Sequence, residues 1–164
     1  MSDGRSQGTL PVSAETDRKI DALLAYYPRS SSALLGALYA VQEEQGWVSE
    51  PAMEYVATKL GVSPAFVAGV VSFYTMFHRS PVGRHHIQLC RTLSCMLRGS
   101  RPLMKHLATR LGIEPGGVTK DGRFSLAWVE CLGACDTAPC AQINDDDVGL
   151  LDAAKADALL EKLK

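Results

Sequence analysis

Four of the five cysteines in this 164-residue chain fall into two pairs, Cys90-x4-Cys95 and Cys131-x3-Cys135, set apart by a stretch long enough for a helix and a strand. Two short cysteine loops brought together by a fold offer four thiolates, the ligand set of a 2Fe-2S cluster and equally of a structural zinc ion. Structural zinc is usually gripped by Cys-x2-Cys knuckles, and neither loop has that spacing. A four-residue gap is that of the first pair in plant-type ferredoxins, although their following Cys-x2-Cys is absent here. The spacing favours an iron-sulfur cluster and leaves zinc open. Disulfides are the weaker reading, because the sequence offers neither a secretory leader nor a small cysteine-dense framework.

Composition bounds the rest. With 46% hydrophobic and 21% charged residues the chain has ordinary globular material, enough for one core or two small ones. A formal charge of −1 gives no reason to expect nucleic acid, and no apolar run approaches the length that crosses a bilayer. A soluble protein is expected, one that can still dock on a membrane complex. The first dozen residues are small and polar and read as a loose tail.

Two textures follow that tail. From Asp17 to Tyr74 apolar residues recur at helical spacing: Ile20, Leu23, Leu24 and Tyr27; Leu34, Leu35 and Leu38; Met53, Val56, Ala57 and Leu60; Phe66, Val67, Val70, Val71 and Tyr74. Four helices are expected, punctuated by Pro28, by Gly46 and Ser49, and by Gly61-Val62-Ser63-Pro64, which supplies a terminating glycine, an N-cap and a first-turn proline. Such faces are more often packed core than a cofactor pocket.

Beyond Ser80-Pro81-Val82-Gly83 the pattern alternates. His86 to Cys90 reads as a strand, Ser100 to Leu111 as a helix ended by Gly112, Phe124 to Val129 as a second strand and Ala141 to Asn144 as a third. A last helix runs from Asp152 to Leu163. This β-α-β-β-α order suits a compact α/β domain in which both cysteine loops leave strand ends on the same side. The boundaries read as a tail over 1–14, a helical bundle over 15–79 and an α/β domain over 80–164. His85 and His86 raise Rieske-type ligation, but with four cysteines already paired they read better as strand residues. Arg79, Arg84, Arg91, Arg98, Arg101 and Lys105 crowd the first loop, and acids gather at Asp145 to Asp147. Such clusters are either solvated surface or a steering field for a partner.

The run Cys90-Arg-Thr-Leu-Ser-Cys95-Met-Leu-Arg-Gly-Ser100, then Asp121-Gly-Arg-Phe124, Val129-Glu-Cys131-Leu-Gly-Ala-Cys135, Ala138-Pro139 and Gln142-Ile-Asn-Asp-Asp146, resembles the E-type family of small chains of bacterial respiratory complex I, the NADH:quinone oxidoreductase, from about residue 15 onward. The resemblance implies an α+β architecture, a helical bundle followed by a thioredoxin-like 2Fe-2S domain. It implies Cys90, Cys95, Cys131 and Cys135 as the cluster ligands, and a partner flavoprotein subunit holding FMN and the NADH site. No dinucleotide fingerprint, phosphate loop or nucleophile-base arrangement is legible in the chain itself, so no catalytic residue is assigned. The implied function is one-electron exchange between the 2Fe-2S cluster and that FMN, in a cytoplasmic arm attached to the inner face of the cell membrane and built from further subunits. The equivalent subunit of an NAD-linked hydrogenase or formate dehydrogenase is the runner-up, and a zinc-stabilised interaction module is the alternative of another class.

Several local readings accompany the resemblance. Gly133 suits a tight second loop, and Leu89, Leu93, Leu132 and Ala134 read either as limiting water near the sulfurs or equally as ordinary core. Cys140 departs from the family pattern and reads as a small buried apolar side chain, with a spare redox thiol as the alternative. Ser94 and Leu93 replace the Thr-Pro pair common before the second cysteine. Pro139 stands where thioredoxin-like folds place a cis proline, so a cis Ala138-Pro139 bond is expected.

Overall fold

Ser13 starts the first helix: its hydroxyl accepts from the Thr16 amide at 3.2 Å, filling one of the orphan donors of the first turn. This computed structural model describes residues 12–163, so residues 1–11 of the expected tail lie outside the described residues, while Val12 is already buried against the helices. The chain divides into two compact units between Pro81 and Val82.

The first unit is helical. Helices α1 (Ala14–Tyr26), α2 (Leu34–Gln45), α3 (Glu50–Leu60) and α4 (Pro64–Phe73) occupy the four expected spans. The punctuation acts as its chemistry predicts. Ser49 and Ser63 cap α3 and α4 with a proline in each first turn, and Gly46 and Gly61 end α2 and α3 in the left-handed conformation. Ile20, Leu38, Val41, Val56, Val67 and Val71 are buried in one apolar core. Lys59 on α3 reaches Asp17 at 2.6 Å and Asp21 at 2.8 Å on α1, and Tyr55 also hydrogen-bonds Asp17. Those bonds, Lys59 first, hold the Asp17 carboxyl below the usual carboxylate range.

The second unit is a four-stranded sheet with helices. Strands β1 (His85–Cys90), β2 (Phe124–Val129), β3 (Ala141–Ile143) and β4 (Asp146–Val148) lie in the order β2-β1-β3-β4. β1 and β2 run parallel in register from His85 opposite Phe124 to Cys90 opposite Val129, so both strands end at the same edge of the sheet. β3 is antiparallel to β1, with Leu89 opposite Ala141, and β4 is antiparallel to β3. The parallel pair needs a crossover, and α5 (Leu93–Leu97) and α6 (Ser100–Leu111) provide it. Leu103, Met104 and Leu107 of α6 and Ala156 and Leu160 of α7 (Ala153–Lys162) pack with Ile87, Leu89 and Leu126 of the sheet. Asp157 on α7 joins its helix to α6, accepting from Arg110 Nε at 2.9 Å and lying 3.0 Å from His106 Nε2.

Two elements escape the sequence reading. α5 is a five-residue turn whose preceding Thr92 makes no side-chain cap bond, so nothing local announces it. β4 reads Asp-Asp-Val, a composition that opposes strand propensity. It pairs because Asn144, in the left-handed conformation, turns the chain back after β3. The Asn144 side chain accepts from the His86 amide at 2.8 Å and donates to the Arg84 carbonyl at 3.1 Å, pinning that turn to β1. At Gly83 a Cβ would come within 2.3 Å of the Phe124 backbone, so only glycine lets this segment enter the sheet beside β2.

Candidate metal centre

Because β1 and β2 are parallel, their C-terminal ends deliver the two cysteine loops to one end of the sheet. Cys90 is the last residue of β1, and Cys131 lies two residues beyond the last residue of β2. The first pair is buried: Cys90 ends the strand and Cys95 sits inside α5, whose single turn folds the four intervening residues back over the strand end. The second pair is exposed on the loop that follows β2, with Cys135 opening a 3-10 turn. Gly133 takes φ +78° in this loop, and its amide donates to the Cys131 sulfur at 3.4 Å.

Of the four predicted ligands, the structure brings Cys90 and Cys95 together, within 4.8 Å, and the third thiol in that group is Cys140. Cys131 and Cys135 stand outside the group. The second loop still reaches the first, since the Leu132 amide donates to the Cys90 sulfur. Cys140 is buried, as the sequence reading has it, but its place beside Cys95 depends on a strand pairing that the local pattern does not reveal. The antiparallel pairing of β3 on β1 carries it there, directly beyond the Leu89–Ala141 pair. The Cys90 amide donates to the Cys140 carbonyl at 3.1 Å, and Cys140 Sγ lies 3.6 Å from Cys95 Sγ. The Ala138-Pro139 bond just before it is cis, as expected from the sequence.

Around the sulfurs, Ala138, Leu132, Ala134 and Val129 form a small apolar shell. Leu132 and Ala134 therefore take the shielding place and Leu89 the core place among the two readings, whereas Leu93 is 63% exposed and does neither. Burial opposes ionisation of Cys90, but the amide and hydroxyl of Thr92, together with Cys95 and the Leu132 amide, bring it below the ordinary thiol value. Cys95 moves the other way, since burial outweighs the bond from the Cys140 amide, and burial pushes the Cys140 thiol up to about 12. Of the arginines near the first loop, Arg91 pairs with Glu130, linking the ends of β1 and β2, and Arg98 donates to the Ala138 carbonyl at 3.0 Å.

A donor set made only of thiols, gathered from the first loop and the residue before β3 under an apolar shell and served by backbone amides, fits an iron-sulfur cluster in kind. The grouped donors are Cys90, Cys95 and Cys140, with no imidazole or carboxylate among them. Fold and donors together define a thioredoxin-like protein with a metal-thiolate site at the strand ends.

The model of the thioredoxin-like 2Fe-2S ferredoxin family matches residues 20–164, and the chain belongs to that family, with a 2Fe-2S cluster as its cofactor. It is 50% identical over 146 residues to an E-type chain of the NADH-quinone oxidoreductase of Rhizobium meliloti, covering 89% of this chain and 87% of that one. It is 42% identical over 148 residues to the NADH-quinone oxidoreductase subunit 2 of Thermus thermophilus, covering 88% and 82% of the two chains. Among solved structures, an NAD+-reducing NiFe-hydrogenase in its H2-reduced state matches with TM-score 0.70 and 33% identity over 79% of this chain. The match spans only 22% of that hydrogenase chain. No helix among the described residues is long and apolar enough to cross a membrane.

Proposed function

We propose that this chain is an electron-transfer subunit of an NADH:quinone oxidoreductase, one that passes single electrons to and from the FMN of a flavoprotein partner. The observation that carries the proposal is a thiol-only site at the parallel strand ends of a 2Fe-2S family chain that is half identical to an E-type chain of that enzyme. Cys90, Cys95, Cys131 and Cys135 would hold the cluster, which when bound supplies one-electron chemistry. The amides of Leu132, Gly133 and Cys140 donate to the cysteine sulfurs, and Leu132, Ala134 and Ala138 keep water from them. The flavoprotein belongs to a larger dehydrogenase assembly, here the peripheral arm of a membrane-attached complex on the cytoplasmic side.

Two exposed apolar surfaces support a life in such an assembly. Helix α4 carries no charged residue, and its Phe66 and Phe73 are exposed although Val67 and Val71 are buried. Leu93 and Leu97 are exposed on α5 next to buried Cys95. We assign α4 and the helical unit, residues 12–81, to docking on the flavoprotein. The α5 rim, beside buried Cys95, is assigned by itself to the approach of a redox partner. The hydrogenase match favours a second reading, the equivalent subunit of an NAD-linked hydrogenase.

Iron, zinc and acid-labile sulfide measured on anaerobically purified protein test the first part. About two irons and two sulfides per chain are expected, and zinc without sulfide would overturn it. Affinity purification from the native host tests the second: the co-purifying chains should include a flavoprotein and quinone-reductase membrane subunits. A nickel-containing subunit in their place would establish the hydrogenase reading. Deleting residues 12–81 should weaken flavoprotein capture.

A further inference from the structure

Cys140 is held more firmly than a packing residue requires. Its carbonyl accepts from the Cys90 amide at 3.1 Å, its own amide faces the Cys95 sulfur, and its side chain is 2% exposed with Sγ 3.6 Å from Cys95 Sγ. The backbone of this one residue thus bridges the two buried cysteines, which fixes where its thiol points.

In the metal-free chain either sulfur of the Cys95–Cys140 contact can donate. Iron binding removes that freedom, because a ligating cysteine is a thiolate and carries no proton. Given the ligand assignment made above, on which this inference rests, Cys95 becomes an acceptor only. Cys140 keeps the one S–H between them, in an apolar pocket where a buried thiol stays neutral.

We propose that Cys140 is a positioning residue for electron transfer, donating an S–H···S hydrogen bond to the Cys95 thiolate and thereby raising the reduction potential of the bound cluster. Reduction adds negative charge to the thiolate-ligated cluster, so a donor aimed at a ligand sulfur stabilises the reduced state more than the oxidised one. The Cys140 amide already makes one such contact and survives any side-chain change, so substitution isolates the contribution of the thiol.

The test compares wild type, Cys140→Ala and Cys140→Ser as full-length, anaerobically purified, cluster-loaded protein. Potentials are read by dye-mediated titration followed by EPR, and Fe–S(Cys) stretching frequencies by resonance Raman in H2O and D2O. Cys140→Ala should keep its full iron and sulfide, shift the midpoint to more negative potential, raise the Fe–S(Cys) frequencies and lose part of their deuterium sensitivity. Cys140→Ser, which retains a donor, should recover the potential to the wild-type value or above it. A Cys140→Ala protein with full cluster content, unchanged potential and unchanged deuterium sensitivity would overturn the hydrogen bond and leave the four-cysteine ligand set standing. Loss of iron and sulfide in Cys140→Ala would instead make Cys140 a ligand and overturn both.

Discussion

The two cysteine loops sit at neighbouring strand ends, yet they are built differently. The first lies between β1 and α5, and both of its thiols are at most 2% exposed. The second follows β2, is exposed at both cysteines and turns on a left-handed glycine. The difference has a topological origin. β1 is a central strand flanked by β2 and β3, so whatever leaves its end is covered by its neighbours. β2 is an edge strand, and the chain leaving it meets cover on one side only. One pair of cysteines is thus placed by the core and the other by its own loop.

That contrast is open to direct attack. The largest expected effect is on the cluster: Cys→Ser at any of positions 90, 95, 131 or 135 should remove visible absorption, iron and sulfide almost completely. Stability of the metal-free chain should then separate the loops. A hydroxyl in the buried pocket at 90 or 95 should cost about 1–3 kcal/mol by denaturant unfolding. At 131 or 135 the change should stay within about 0.5 kcal/mol. Equal losses at all four positions would erase the distinction. Alkylation of the metal-free chain, mapped by mass spectrometry, should label Cys131 and Cys135 well before Cys90 and Cys95. Cys140, its thiol pushed up to about 12, should remain slow where an ordinary thiol has ionised.

Smaller changes sharpen the comparison. Gly133→Ala forces a side chain into positive φ and should cost about 1–2 kcal/mol, read by the same unfolding titration. Arg98→Ala removes one bond, to the Ala138 carbonyl, and should cost up to about 1 kcal/mol. Because that bond ties α5 to the segment after Cys135, amide hydrogen exchange should quicken between 135 and 140 and stay unchanged in α6. Exchange that quickens throughout the unit would mean the arginine supports the whole fold.

Much of this was legible in the residues. A serine cap, a first-turn proline or a terminating glycine marks at least one end of each of α1 to α4, so Gly61-Val62-Ser63-Pro64 announces two helix ends without knowledge of the fold. The parallel strand ends could also be inferred, since β1 and β2 have readable patterns with a helix between them. Pairing partners could not. Cys140 joins the site only because β3 returns antiparallel to β1, a long-range fact with no trace in the local pattern. Leu93 shows the opposite failure: an apolar residue next to a ligand reads as shielding or core, but α5 turns it outward.

The acidic run Asp145 to Asp147 first reads as solvated surface or as a charge that steers a partner. Its position gives it another meaning. Asp146 and Asp147 are exposed on β4, the outermost strand of a sheet whose backbone groups would otherwise invite another strand to add on. At the opposite margin, the chain covers β2 with itself, the Gly116 amide bonding the Leu126 carbonyl at 2.6 Å and the Thr119 amide the Phe124 carbonyl at 2.8 Å. One border of the sheet is guarded by repulsion and the other by its own chain. Both devices oppose the addition of a strand from another copy at the sheet's margins.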